Sequence, residues 1–232
     1  MRLLPSRVQS SSVLFVDVFG TPHIGLFAVN SERLLILPPG LPPKKVELMA
    51  SILGSEAVQT YISGSILIGP FICINSKGAV LPKIVLDEEI SQIKAVASDL
   101  NIYIYRGRET AMGNLMSAND HCVVASPEIQ ASEVRAIADT LGVEAVSMSI
   151  AGRRHVGSLC LLTNRGGLVH VEATEEEVKT IEEYSRVRVL RATVNNGNLF
   201  VKSGVLANSK GALIGKRTVG PELMTISTAL GL

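Results

Sequence analysis

Residues 157–170 read G-S-L-C-L-L-T-N-R-G-G-L-V-H, and this stretch decides the fold of the chain. Two apolar runs flank Asn164-Arg165-Gly166-Gly167, a pattern that predicts two strands joined by a tight turn. Asn and Gly accept the positive φ that such a turn requires, whereas residues with a branched Cβ resist it. We therefore predict a β-hairpin over these residues.

Related hairpins recur along the chain at a nearly constant spacing. Residues 69–82 read G-P-F-I-C-I-N-S-K-G-A-V-L-P and residues 204–215 read G-V-L-A-N-S-K-G-A-L-I-G, with looser versions at 25–38 and 113–127. The turn asparagines are 45, 44, 45 and 44 residues apart, and the glycines that open the first strand are 44 apart. Five copies of one unit therefore make up the chain. The turn asparagines are Asn30, Asn75, Asn119, Asn164 and Asn208, and the glycines are Gly25, Gly69, Gly113 and Gly157.

We interpret all five turn asparagines as structural, because the turn that they mark recurs with the repeat. On this interpretation, replacing Asn164 costs stability before it costs any binding.

Composition excludes several classes of protein. The 232 residues carry a net charge of +1, which argues against nucleic-acid binding through bulk charge but leaves room for a local basic face. The three cysteines are odd in number and lack C-x-x-C spacing, so neither a disulfide framework nor a zinc site is expected. No apolar run of about 18 residues occurs, so no transmembrane helix is expected.

Each unit reads as a strand, a hairpin and a helix. We predict helices at about 44–53, at 87–99, from Pro127 with Ser126 as cap to Gly142, at 175–184 behind a capping box at Thr174, and from Pro221 onward. A single unit cannot bury both the apolar face of its sheet and the apolar side of its helix. The first and last units are as apolar as the middle ones, whereas an open solenoid needs polar ends.

These observations predict an α/β fold that closes into a pseudo-fivefold ring, with the helices outside. The predicted organisation is an N-terminal extension over residues 1–11 and a single domain over residues 12–232. Its repeats lie at approximately 12–57, 58–101, 102–142, 143–186 and 187–232.

Five strand-hairpin-helix units in a ring resemble the pentein architecture. Within it, the chain resembles the translation initiation factor 6 family, most closely in its archaeal form. The resemblance spans residues 13–232, except that Lys202 stands where the other units have glycine and residues 1–11 have no counterpart. The matching segments are I-G-L-F-A at 24–28, G-N-L-M-S-A-N-D at 113–120, I-A-D-T-L-G-V-E at 137–144, S-I-A-G at 149–152, V-G-S-L-C-L-L-T-N-R-G-G-L-V-H at 156–170, T-V-N-N-G at 193–197 and T-V-G-P-E-L at 218–223.

The resemblance implies a ribosome anti-association factor. Such a protein binds the large ribosomal subunit on its intersubunit face, where it contacts a ribosomal protein beside the sarcin–ricin loop. From the residues themselves, we expect Lys216 and Arg217 to extend a basic rim toward ribosomal RNA. It blocks the small subunit sterically and serves late maturation of the large subunit. The resemblance implies no catalytic activity and no cofactor, and we expect a cytoplasmic monomer without membrane contact.

Three other functions were weighed against this one. Some penteins are amidine-modifying enzymes that use a nucleophilic Cys, but the C-terminal unit lacks Cys, and His121 and Cys122, as neighbours on a strand, point to opposite faces. A metabolite module would need convergent charges in the central channel. A purely structural ring would assemble with copies of itself.

Candidate contact residues are polar or basic groups that the repeat itself does not require. Asn114 follows a repeat glycine where other units have Leu, Pro or Ser. A local hydrogen bond explains Asn114 as well as partner contact does. Turn chemistry explains about half of the asparagines at 195, 196 and 198. For the basic run at 153–155, surface charge without a partner is weighted slightly above ribosome contact. The candidates are Asn114, Arg153, Arg154, Asn195, Asn196, Asn198, Lys216 and Arg217.

Overall fold

The structure, a computed structural model, describes residues 12–232. The predicted extension, residues 1–11, lies outside the described residues. In chain order the elements are β1 (Val13–Val16), α1 (Ile24–Phe27), β2 (Val29–Asn30), β3 (Leu34–Leu37), α2 (Pro43–Leu53), β4 (Glu56–Gln59), β5 (Cys73–Ile74), β6 (Gly78–Pro82), α3 (Asp87–Val96), β7 (Asn101–Tyr105), α4 (Met112–Leu115), β8 (Met116–Ala118), β9 (Cys122–Ala125), α5 (Ala131–Leu141), β10 (Glu144–Ser147), α6 (Val156–Leu159), β11 (Cys160–Leu162), β12 (Gly167–His170), α7 (Glu175–Ser185), β13 (Val189–Ala192), α8 (Val201–Gly204), β14 (Val205–Ala207), β15 (Ala212–Gly215) and α9 (Gly220–Leu230).

Five three-stranded sheets repeat one topology, which confirms the predicted α/β fold. In each sheet an antiparallel hairpin is extended by a strand parallel to its second member. In the first four sheets along the chain a helix connects these two parallel strands, as a parallel pair requires. The strand predicted at the start of each unit therefore completes the sheet of the unit before it. The last sheet takes its third strand from the start of the chain, since β1 pairs with β15 from Val13↔Ala212 to Val16↔Gly215. This pairing closes the ring.

Apolar side chains fill the spaces where a helix meets two neighbouring sheets. In one such cluster Ile36 of β3, Leu81 of β6 and Ile93 of α3 are fully buried together. Core residues are thus shared between consecutive units, so a unit on its own would expose part of its core. None of the helices within residues 12–232 has the length and apolar character to cross a membrane.

The predicted start of a long helix is right for α7 and wrong for α5. Thr174 and Glu177 form the predicted capping box of α7, with Oγ1 of Thr174 accepting from the Glu177 amide at 3.1 Å. The predicted start of the third unit's helix at Pro127 is wrong. Ser126 instead accepts from the Glu128 amide in a separate turn, the backbone at Gln130 is extended, and α5 begins at Ala131.

The repeat glycines do not open strands, as the spacing suggested, but lie in short segments next to the ring axis. Gly25, Gly113 and Gly157 sit within the single-turn helices α1, α4 and α6. A Cβ atom on Gly69 would lie 1.8 Å from the carbonyl oxygen of Gly25, and one on Gly113 would lie 1.9 Å from that of Gly69. Neighbouring units therefore meet backbone to backbone, and no side chain fits between them.

In the fifth unit, Lys202 occupies the position that glycine occupies in the other four units. A Cβ atom on Gly25 would lie 1.9 Å from the carbonyl oxygen of Lys202, so the first unit packs on the last as the others pack on their predecessors.

We expect Gly113→Ala to lower the free energy of unfolding by about 3 kcal/mol or more, because its methyl group would overlap a carbonyl that is fixed by its own backbone. Gly220→Ala is the control, since nothing lies within 4 Å of its Cβ position. Urea denaturation measures both variants, and equal stabilities would contradict the close-contact account.

Asparagines link the hairpin turns of successive units on the other side of the ring. Oδ1 of Asn119 accepts from the amides of His121 and Cys122 at 2.9 Å each, which holds its own turn. Its Nδ2 donates to the carbonyls of Thr163 at 3.0 Å and Ser185 at 2.9 Å in the next unit. Asn75 and Asn208 make the same kind of bonds within and between units.

In units one and four the predicted turn position is one residue off. Ser31 and Thr163 occupy it, and their hydroxyl oxygens accept from the two turn amides as the asparagines do. Asn30 donates to the carbonyl of Ala207 at 2.9 Å, and Asn164 donates to the carboxylate of Asp120 at 2.7 Å. A hydroxyl group holds its own turn but lacks the second amide donor, so a neighbouring asparagine reaches across instead.

Asn119→Ala is expected to lower the free energy of unfolding by about 2–4 kcal/mol, because it leaves buried amides and carbonyls without partners. Asn164→Ala should cost about 1 kcal/mol, since its bonds are made at a partly exposed site. Thermal melting compares the two, and equal losses would mean that the turn register is wrong.

Candidate binding face

Strand direction gives the ring two distinct faces. The second hairpin strand and its parallel neighbour end on the same side, so the connections between units gather there, opposite the hairpin turns. We call this side the loop face; it comprises residues 17–23, 60–68, 106–111, 148–155 and 193–200 with the adjoining short helices. The opposite side, the turn face, comprises residues 31–33, 75–77, 119–121, 163–166 and 208–210.

Glutamates in the first turn of the long helices hold the loops of the loop face. The carboxylate of Glu222 accepts from the amides of Asn196, Gly197 and Val219 at 2.8–3.0 Å. Burial would raise the pKa of Glu222, but these donors outweigh it and lower the pKa. Glu89 and Glu177 hold their loops in the same way, so the face is built on fixed backbone.

In unit one the roles of helix and loop are exchanged: the helix supplies a cation and the loop supplies the carboxylate. Its helix carries Lys45 where the others carry glutamate, and Nζ of Lys45 lies 2.8 Å from the carboxylate of Asp17. Lys216, a predicted contact residue, pairs with the same carboxylate from the end of β15. Hydrogen bonds from Lys216 and then Lys45 lower the pKa of Asp17. Lys216 therefore ties the last unit to the first, next to the pairing that closes the ring.

A cavity of about 480 Å³ opens at the centre of the loop face. Its wall includes the side chains of Leu26 and Phe200, which are 36% and 49% exposed. Asn114, Asn198 and Lys202 contribute polar groups to the same cavity. A concave apolar surface with a few convergent polar groups is typical of a binding site.

Lys202 crosses the axis at the base of this cavity. It belongs to α8, and its Nζ donates to the carbonyl of Gly113 in α4 at 2.7 Å. Desolvation lowers the pKa of Lys202. Below it lies a smaller cavity of about 30 Å³, which Lys202 and Cys73 also line. The lysine side chain thus separates the open mouth from the interior of the ring.

Two of the predicted contact residues lie in the cavity. Asn114 is half-buried, and within the described chain its side-chain amide makes no hydrogen bond. Asn198 accepts from the Phe200 amide at 2.8 Å, and its Nδ2 lies 3.4 Å from Nδ1 of His23. The fold therefore engages Asn198 only partly and leaves the amide of Asn114 available.

The other two asparagines of the predicted cluster differ from each other. Asn195 is 8% exposed, and its Nδ2 donates to the carbonyl of Pro22 at 2.9 Å, so it joins the last unit to the first. Asn196 is exposed, and only its backbone amide is engaged, by Glu222. Both residues have positive φ, of 51° and 66°. Sequence reasoning grouped them, although their side chains point into different environments.

The predicted basic residues all lie on or beside the loop face, but they differ in how far contacts within the chain already engage their side chains. Arg153 is committed within the chain, since it lies 2.8 Å from Glu172 and donates to the Ala151 carbonyl. Arg154 is two-thirds exposed and lies 3.8 Å from Glu128. Arg217 is exposed and forms no ion pair among the described residues. Arg154 and Arg217 are therefore the more available cations.

The exposed apolar side chains of the loop face were not predicted. Besides Leu26 and Phe200, they include Phe19, Ile66 and Leu67, each 39–46% exposed. In the sequence they read as ordinary core residues of strands and turns. Lys202 did carry a signal, because it interrupts the series of repeat glycines.

The three cysteines lie inside the ring and are free. Burial raises the pKa of Cys73 to about 11 and the pKa of Cys122 and Cys160 to about 12. These thiols stay protonated near neutral pH, whereas nucleophilic catalysis by cysteine uses the thiolate.

Five units of one α/β topology thus close into a ring. A crystal structure of a dimethylarginine dimethylaminohydrolase adduct with S-methyl-L-thiocitrulline aligns at a TM-score of 0.49 with 9% identity, over 78% of this chain and 70% of that one. A likeness this distant carries no argument about function.

Sequence comparison gives the family directly. The eIF-6 family profile matches residues 13–229. Translation initiation factor 6 of Staphylothermus marinus is 36% identical over 94% of this chain and 97% of that one, and the protein of the same name from Saccharolobus islandicus is 38% identical over 93% and 97%. The chain belongs to the eIF-6 family, whose archaeal members carry the name of a translation initiation factor.

Asn195→Gly and Asn196→Gly separate a structural asparagine from an exposed one, because glycine keeps the positive φ at both sites. We expect Asn195→Gly to be less stable than Asn196→Gly by about 1–3 kcal/mol, since only Asn195 loses buried hydrogen bonds. Chemical denaturation gives the difference, and a loss confined to Asn196→Gly would contradict this assignment.

Proposed function

We propose that this protein is a translation initiation factor that binds the large ribosomal subunit through its loop face. Bound on the intersubunit surface, it prevents association with the small subunit and takes part in late maturation of the large one. The observation that carries the proposal is the cavity of about 480 Å³ with exposed apolar side chains at its rim, at the centre of one face of a ring from this family.

The surface chemistry supports a ribosomal protein as the main contact. Exposed apolar groups cluster at the axis, where a partner side chain would bury them and gain about 25 cal/mol per Å² of apolar surface. The net charge of +1 is too small for binding that depends on bulk attraction to phosphates. Arg154 and Arg217 stand away from the axis, where they reach RNA beside that protein, near the sarcin–ricin loop.

A rigid ring suits a factor that acts by excluded volume. Hydrogen bonds and backbone contacts tie each unit to its neighbours, so the body does not yield when the small subunit approaches. The protein works in this proposal as a cytoplasmic monomer without cofactor or catalysis. The protonated, buried thiols support a binding role over the amidine-modifying chemistry of other penteins.

Sedimentation with separated ribosomal subunits tests the proposal. The protein should travel with the large subunit, and adding small subunits at a fixed magnesium concentration should yield fewer joined ribosomes than in its absence. Sedimentation with the small subunit, or unchanged joining by factor-loaded large subunits, would overturn it.

Phe200→Ser should weaken binding to the large subunit at least tenfold, because it removes the largest exposed apolar side chain of the cavity. Leu48→Ser on α2 is the matched control, since Leu48 is 47% exposed but lies away from the loop face. Equal binding by the two variants, both folded by thermal melting, would show that the loop face is not the contact.

A further inference from the structure

Lys202 is a partly buried amine without an anionic partner. Its Nζ donates to the carbonyl of Gly113 at 2.7 Å, and no carboxylate within residues 12–232 forms an ion pair with it. The nearby thiols of Cys73 and Cys160 are protonated near neutral pH and offer no compensating charge. Removal from water favours the neutral amine over the ammonium ion, so the pKa of Lys202 is lowered. A neutral amine has a free lone pair and is therefore a nucleophile.

Two other lysines show what sets Lys202 apart. Nζ of Lys77 donates to the carbonyl of Gly142 at 2.9 Å, and Nζ of Lys210 donates to the carbonyl of Gly54 at 2.8 Å. Both of these side chains are exposed, so both amines stay in contact with water. Lys202 makes the same kind of bond away from water. Its surroundings, and not its hydrogen bond, therefore distinguish it.

The cavity of about 480 Å³ above Lys202 has room for a small organic molecule, and its walls suit an apolar one. Leu26 and Phe200 line it with partly exposed apolar side chains, and the amide of Asn114 makes no hydrogen bond within the described chain. The exposed side chain of His155 lines the same cavity and supplies an imidazole that can carry protons. A desolvated lysine in an apolar pocket with a proton carrier beside it is the arrangement that carbonyl chemistry by an amine requires.

We infer that Lys202 captures aldehydes that carry an apolar or aromatic group and holds them in this cavity as a reversible imine. The inference goes beyond the proposed function, because binding to the ribosome needs no nucleophile. An aldehyde is favoured over a keto acid, since the wall of the cavity contains no second lysine or arginine to pair with a carboxylate.

The reaction balances without an oxidant or a reductant. The ammonium group of Lys202 first gives a proton to the imidazole of His155, and its Nζ then bonds to the carbonyl carbon while the π electrons of the C=O bond move to oxygen. One nitrogen proton passes to that oxygen. The imidazolium returns its proton, the hydroxyl leaves as water, and the nitrogen lone pair forms the C=N bond. Ammonium and aldehyde thus give a protonated imine and water, and addition of water reverses the step.

Reductive trapping with benzaldehyde and sodium cyanoborohydride at neutral pH tests the inference. The reducing agent converts the imine into a stable secondary amine, which peptide mass spectrometry locates. We expect Lys202 to be labelled at least tenfold faster than Lys77 and Lys210, the matched controls that donate to carbonyls from exposed positions. Labelling of Lys202 no faster than that of the two controls would overturn the inference.

Two further comparisons show whether the folded cavity causes the reactivity. In urea the labelling rates of the three lysines should converge, because the unfolded chain exposes all of them to water. Glycolaldehyde, which is small and polar, should label Lys202 with a smaller preference over the controls than benzaldehyde does, and Phe200→Ser should remove this difference. A preference for Lys202 that persists in urea, or an equal preference with both aldehydes in the folded wild-type protein, would contradict capture by the cavity.

Trapping and sedimentation test the two proposals separately. Trapping uses the protein alone, so its result decides the capture of aldehydes whether or not the protein travels with the large subunit. Sedimentation of the unlabelled protein decides the proposed function, whether or not Lys202 reacts.

Discussion

Backbone contact at the ring axis is the constraint on which the rest of the structure depends. Glycines of successive units lie so close to the preceding unit's carbonyls that a Cβ atom would fall within 1.8–2.4 Å of them. Because the backbones touch at this distance, each unit can pack against its neighbour in only one orientation. Four such contacts link the five units in series from Lys202 to Gly157, and β1 pairs with the open side of the last sheet.

Polar contacts away from the axis make the closed ring rigid. On the turn face, asparagine amides bind carbonyls of the next unit, and on the loop face first-turn glutamates bind the amides of the inter-unit loops. The two sets restrain opposite ends of each unit. The loop face is therefore a fixed surface, so its apolar side chains stay exposed at the axis instead of collapsing into the core.

Spacing predicts the repeat, because a repeat interval tolerates small errors in the position of each residue, and the apolar end units predict its closure. The residue that holds each turn, in contrast, cannot be assigned when its position is uncertain by one residue. Asn30 and Asn164 look like the turn residues, yet Ser31 and Thr163 accept the turn hydrogen bonds, because a hydroxyl oxygen serves as well as an amide oxygen. The same limit applies to Ser126, a residue that caps helices and tight turns alike.

The binding face was only partly predictable. Residue type identified Asn114 and Asn198, which lie in the cavity, but grouped them with Asn195, whose side chain joins the last unit to the first. Exposed apolar residues such as Phe200 give no signal in one sequence, because exposure depends on which elements pack together. Lys202 is the exception, since a lysine among repeat glycines violates the pattern that closes the ring.

Hydrogen exchange of two equivalent amides tests closure most directly. The amide of Ala212 donates to the Ser12 carbonyl at 2.7 Å across the closing pair, and the amide of Gly167 donates to the Arg188 carbonyl at 2.9 Å between units four and five. A closed ring predicts the same protection for both, since both open only when the whole molecule unfolds. Exchange at Ala212 that is faster by orders of magnitude, with Gly167 still protected, would show that the ends of the ring separate in solution and would contradict this account.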